Sequence, residues 1–131
     1  MTKTTMVLTV NADNSRVFQV LSNLINNAIK FAGVNGVVTI SISKTESLLS
    51  DISDTVEKNE YAFISIKDNG NGIDPEIQFR LFSKFTTKSD IGTGLGLFIE
   101  KSIMEVHGGK ISAENNKDGG GSTITFSLPL D

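Results

Sequence analysis

The chain has 131 residues, 38% of them hydrophobic, enough to bury a core in one folded unit. Its 12 basic and 15 acidic side chains give a net charge of −3 with no basic run, so a nucleic-acid-binding surface is not expected. The absence of cysteine excludes disulfides and thiolate metal sites, and a single histidine leaves little basis for an imidazole metal centre.

Residues 6–10 read as a short strand, and Asp13 as the N-cap of a helix over 16–31. There Val17, Val20, Leu21, Leu24, Ala28 and Phe31 recur with helical spacing. Residues 37–43 and 61–67 alternate as strands and are expected to pair as a hairpin. The segment 44–60 between them is polar and long for a hairpin connection, and reads as a surface insertion with a short helix near 48–56 or as a mobile loop. Asp74-Pro75 opens a second helix running to about residue 82. Residues 83–93 read as a loop. A third helix is expected from Gly94 or Leu95 to His107, stopped by Gly108, followed by strands at 110–114 and 122–128. This order predicts an α+β fold, a two-layer sandwich with a mixed sheet covered on one face by three helices, in a single domain over 1–131. No apolar run reaches membrane length and the N-terminus lacks a signal peptide's apolar core, so a cytoplasmic setting is expected, any membrane attachment coming from other sequence.

Asn23, Asn27 and Lys30 fall at i, i+4 and i+7 on one face of the first helix, opposite its apolar face. An amide carbonyl oxygen is a hard neutral ligand suited to magnesium, and a lysine one turn further reaches a phosphate as a point charge. An ordinary solvated face is the alternative. Asp68 ends an apolar strand ahead of Gly70, Gly72 and Ile73. A carboxylate at that place accepts a hydrogen bond from an exocyclic amino group, selecting adenine over guanine, and the glycines let the backbone pass close to a flat base. A plain turn is the competing reading. Gly92-Thr93-Gly94-Leu95-Gly96-Leu97 opens the third helix, where free N–H groups and the helix dipole bind anions. No Lys-Ser/Thr pair follows, so it is not a Walker A loop, and no βαβ unit surrounds it.

The loop before these glycines carries Phe82, Phe85, Thr86, Thr87 and Lys88. Phe82 is expected in the core; Phe85 either anchors the loop or covers the base, and Lys88 reaches the phosphates when the loop closes. Thr123 is a nucleotide contact or a plain strand hydroxyl. His107 is expected to cap or pack the third helix.

Taken in order over nearly the whole chain, these motifs resemble the catalytic and ATP-binding domain of sensor histidine kinases, within the wider Bergerat-fold ATPases. The resemblance implies ATP and Mg2+ as cofactors. Asn27 would coordinate magnesium with Asn23 nearby, Lys30 would contact phosphate, and Phe31 would line the base site. Asp68 would bind the adenine amino group with room given by Gly72, and Gly92 to Leu97 would hold the phosphates as the lid closes. The implied partners are a phosphoacceptor-histidine dimerisation domain, in cis or in trans, and then a response regulator. Neither nucleic acid nor direct membrane contact is implied, and the isolated domain is expected to be a monomer. Two features depart from the family: the sequence contains no helical dimerisation domain, so it reads as a catalytic fragment or stand-alone nucleotide module, and 44–60 exceeds the usual hairpin turn. An anti-sigma-type protein serine kinase and an ATP-sensing or ATPase module of the same fold are the alternatives. A gyrase-like hydrolase places a glutamate base where Asn23 stands, and asparagine is a poor general base.

Overall fold

The computed structural model describes residues 7–48, 58–78, 80–83, 96–117 and 120–131. Helix α1 (Asn14–Ala32) starts where Asp13 Oδ1 accepts the backbone N–H groups of Ser15 and Arg16 at 3.0 and 3.2 Å. It ends at Gly33, whose N–H donates to the Ile29 carbonyl. Val20, Leu24 and Ala28, one turn apart, are its buried residues.

Two long strands follow, β1 (Val38–Leu48) and β2 (Lys58–Asp68), paired antiparallel from Val38↔Asp68 to Leu48↔Lys58. The polar segment expected as an insertion is therefore partly ladder: 44–48 continues β1, 58–60 begins β2, and Lys44 bridges Glu60 at 3.2 Å. Residues 44–48 and 58–60 are Lys-Thr-Glu-Ser-Leu and Lys-Asn-Glu, with no apolar alternation to mark a strand, which is why this stretch reads as loop-like in sequence. Of the helix anticipated near 48–56, Leu48 is strand and the rest lies outside the described residues.

Helix α2 (Pro75–Gln78) is a single turn, shorter than expected; the chain goes on as i→i+3 turns, with Leu81 N–H on Gln78 O and Ser83 N–H on Arg80 O. Helix α3 (Gly96–Val106) ends in a Schellman motif, Gly109 N–H bonding Met104 O at 2.8 Å and Gly108 N–H bonding Glu105 O at 3.0 Å. Strands β3 (Lys110–Asn115) and β4 (Ser122–Pro129) complete a sheet of order β1-β2-β4-β3.

Every pair in this sheet is antiparallel, which corrects the expected mixed sheet. The reason is topological: β1-β2 and β3-β4 are each hairpins, and β4 enters between β2 and β3, antiparallel to both. The expected N-terminal strand contributes, among the described residues, only a bridge between Val10 and Leu130. Helices α1 and α3 form the second layer over a core of Val20, Leu24, Ala28, Ile66, Met104, Phe126 and Leu128. Among the described residues no helix is long and apolar enough to cross a membrane.

Candidate functional site

Asp68, the last residue of β2, is buried at 4% exposure, and its carboxylate is held by the chain itself. Oδ1 accepts the Gly70 N–H at 2.9 Å and, more weakly, the Ser122 N–H at 3.4 Å; Oδ2 accepts the Ser122 hydroxyl at 3.0 Å. Gly70 lies so close to α1 that a Cβ there would overlap the Phe31 carbonyl, so only glycine lets the loop touch the helix. Gly72 has φ +80°, and a Cβ would sit 2.8 Å from Asn115 Oδ1. The Asn115 amide clamps the next residue on both sides, accepting the Ile73 N–H at 2.6 Å and donating to the Ile73 carbonyl at 3.1 Å. Asn116 Nδ2 donates to the Asp68 and Gly120 carbonyls. The glycine-rich loop is thus fixed to α1 on one side and to the β3–β4 connection on the other.

On α1, Asn27 is half-buried and Lys30 exposed, and neither has a hydrogen-bond or ion-pair partner among the described residues. Phe31 is 40% exposed, at the rim where α1 meets the Gly70 loop rather than in the core. Among the described residues no group of three or more His, Asp or Glu side chains converges, so a divalent ion here would rest on amide and ligand oxygens. Asp68 Oδ2 carries one protein hydrogen bond and keeps acceptor capacity for an amino group, and Asn27 keeps a free carbonyl oxygen. This donor set fits an adenine nucleotide with magnesium.

Asn23 is engaged differently: its Nδ2 donates to Glu100 Oε1 on α3 at 2.7 Å. Glu100 is 1% exposed, and burial pushes its carboxyl up from the usual carboxylate range, partly opposed by the Asn23 hydrogen bond. Thr123 does not reach the carboxylate. Its hydroxyl donates to Asn116 Oδ1 at 2.5 Å, and strand alternation puts it on the face opposite Ser122. The hydroxyl beside Asp68 belongs to Ser122, which shares its face with Ile124, Phe126 and Leu128; that in-phase run was the signal for it.

Sequence reasoning also missed Glu100, although a glutamate between Leu97 and Met104 on the apolar face of α3 marks a buried acid. His107 packs as expected: Nδ1–H donates to the Ile103 carbonyl at 2.8 Å and Nε2 accepts the Asp13 N–H at 3.1 Å, joining the end of α3 to the start of α1. Phe82 is half-buried, and Leu97 packs against the core from the first turn of α3. Phe85, Thr86, Thr87, Lys88, Gly92, Thr93, Gly94 and Leu95 lie outside the described residues, which begin again at Gly96.

The chain is 39% identical to the sensor histidine kinase WalK of Bacillus subtilis over 128 residues, 93% of this chain and 19% of that protein. It is 36% identical to sporulation kinase C of the same organism, covering 92% of this chain and 25% of the relative. The chain thus spans a quarter or less of these relatives' length. Among solved structures, the catalytic domain of the histidine kinase ThkA superposes with a TM-score of 0.71 at 36% identity, covering 92% of this chain and 71% of that one. The mycobacterial sensor histidine kinase MprB gives a TM-score of 0.74 at 26% identity, covering 92% and 76%. Residues 12–131 match the family of histidine kinase-, DNA gyrase B- and HSP90-like ATPases, and with its helix-covered antiparallel sheet and its Asp68 cradle the chain belongs to that family.

Proposed function

We propose that the chain is the ATP-binding catalytic domain of a two-component sensor histidine kinase, transferring the γ-phosphoryl group of Mg-ATP to a histidine on a separate dimerisation domain. The observation that carries this reading is the Asp68 carboxylate, braced by Gly70 and Ser122 yet keeping acceptor capacity, near a helix whose Asn27 and Lys30 are unpartnered among the described residues. Identity of 39% to a sensor histidine kinase and of 36% to a sporulation kinase supports it.

Asp68 accepts the adenine amino group, and the Gly70–Ile73 backbone lies along the base. The Asn27 carbonyl oxygen holds magnesium, which supplies charge neutralisation on the phosphate oxygens. Lys30, and Lys88 with the 92–97 glycines, hold the phosphates in line. The acceptor imidazole nitrogen bonds to the γ-phosphorus as the bond to the β–γ bridging oxygen breaks. ADP leaves with that electron pair, and the imidazole proton passes to solvent. The phosphoryl group then goes to a response regulator; a complex of ThkA with its response regulator TrrA is known for one structural relative.

Incubating the chain with γ-labelled ATP and a separately expressed histidine-bearing dimerisation domain tests this. Label on the acceptor that survives base and is lost in acid is the expected result. Acid-stable label would assign a serine kinase instead, and no label would leave a nucleotide-sensing module.

A further inference from the structure

Glu100 is the one side chain among the described residues with a sealed, unpartnered polar atom: Oε2 makes no hydrogen bond. Its other oxygen has a single partner, Asn23 Nδ2 at 2.7 Å, and none of the ion pairs described here involves it. A buried carboxyl with one satisfied oxygen and no counter-charge is destabilising in itself. An apolar residue would suit this place on α3 better, flanked as it is by Leu97 and Met104 in the core. The placement therefore calls for a role other than packing.

That role is visible in what the bond does to Asn23. An asparagine amide is planar, with a donor at one end and an acceptor at the other. With Nδ2 committed to Glu100, Oδ1 is left as the acceptor that another donor can use. Oδ1 has no partner among the described residues, and it is not sealed from solvent as Glu100 Oε2 is. Asn23 stands one helical turn before Asn27, on the same face as Asn27 and Lys30. The geometry points to Glu100 as a positioning residue that locks the Asn23 amide so that the pocket receives a carbonyl acceptor rather than an NH2 donor. This rests on the kinase reading above. In that reading, the acceptor takes a hydrogen bond from a water beside the γ-phosphate or from the N–H of the acceptor imidazole, whose other, unprotonated nitrogen attacks; an amide NH2 would present a donor to a donor.

Three chains separate this from a structural role: wild type, Glu100→Gln and Glu100→Met. The glutamine carbonyl still accepts from Asn23 Nδ2, whereas methionine fills the volume without an acceptor. The first readout is the Asn23 side-chain NH2 pair in the 1H–15N spectrum, assigned through Asn23→Ser. The pair should keep its shift and slow exchange in Glu100→Gln and lose both in Glu100→Met. The second is phosphotransfer to a histidine-bearing domain in trans. There Glu100→Met should lower kcat on the order of tenfold with KM for ATP unchanged, and Glu100→Gln should restore it. Thermal stability should move the other way, with Glu100→Met melting at or above wild type, because the orphaned oxygen is gone. An Asn23 NH2 signal indifferent to Glu100→Met overturns the positioning, as does a Glu100→Gln chain that behaves like Glu100→Met. If the wild-type chain transfers no phosphate, the kinase reading fails, and the amide signal still decides the positioning.

Discussion

Replacing Asp68 by asparagine separates what the carboxylate does for the loop from what it does for a ligand. In the native chain the carboxylate takes three hydrogen bonds, two from N–H groups on Oδ1 and one from the Ser122 hydroxyl on Oδ2. An asparagine of the same shape keeps its carbonyl oxygen for the Gly70 and Ser122 N–H groups. Its NH2 donates to the Ser122 oxygen, whose hydroxyl rotates to accept. The loop should survive, with a stability change of about 1 kcal/mol or less. For an adenine nucleotide the change is severe, since the acceptor facing the amino group becomes a donor. A hydrogen bond to a charged group contributes about 1.5–3 kcal/mol, which is roughly 10- to 150-fold in affinity. Titration calorimetry with Mg-ADP on both chains measures this, with far-UV circular dichroism to confirm folding. The inosine nucleotide should show the reverse preference, because its keto oxygen accepts from the new NH2. A folded Asp68→Asn chain that binds Mg-ADP within about threefold of wild type would refute the assignment of Asp68 to the base.

Asn27→Ala should leave metal-free nucleotide binding nearly intact and abolish the gain from magnesium, read as the ratio of Kd values with and without the ion. His107→Ala should lower stability by about 1 kcal/mol through loss of the bond to the Asp13 N–H, with nucleotide affinity unchanged; urea unfolding and calorimetry read the two effects separately. Burial raises the Glu100 carboxyl above 4.5, so the folded chain holds this proton more tightly than the unfolded chain. Its contribution is therefore full below 4.5 and lost as pH rises through the raised folded value. Glu100→Gln should consequently gain in melting temperature relative to wild type as pH increases across that window, and a difference constant with pH would contradict this.

The two-layer architecture was legible because its signals are local: helical spacing from Val17 to Ala28, alternation in β2 and β4, and the caps at Asp13 and Gly108. Strand direction was not, since it depends on which hairpin edge β4 joins, and no residue pattern states that. The hairpin's outer half was not legible because Lys-Thr-Glu-Ser and Lys-Asn-Glu lack the period-2 apolar pattern and have loop composition, although the backbone continues the ladder. At the site, Asp68 announced itself by following an apolar strand and preceding glycines. Its hydroxyl partner, Ser122, was not anticipated, because it comes from β4, 54 positions away. Asn115, Asn116 and Glu100 act across 42 to 77 positions of sequence, which local spacing cannot see.

The account stands most directly on whether one pocket takes an adenine nucleotide. Calorimetric titration of the wild-type chain with Mg-ADP and with Mg-GDP should give saturable one-to-one binding of the first and at least tenfold weaker binding of the second. Equal affinity for the two purines, or no saturable heat with either, would contradict it.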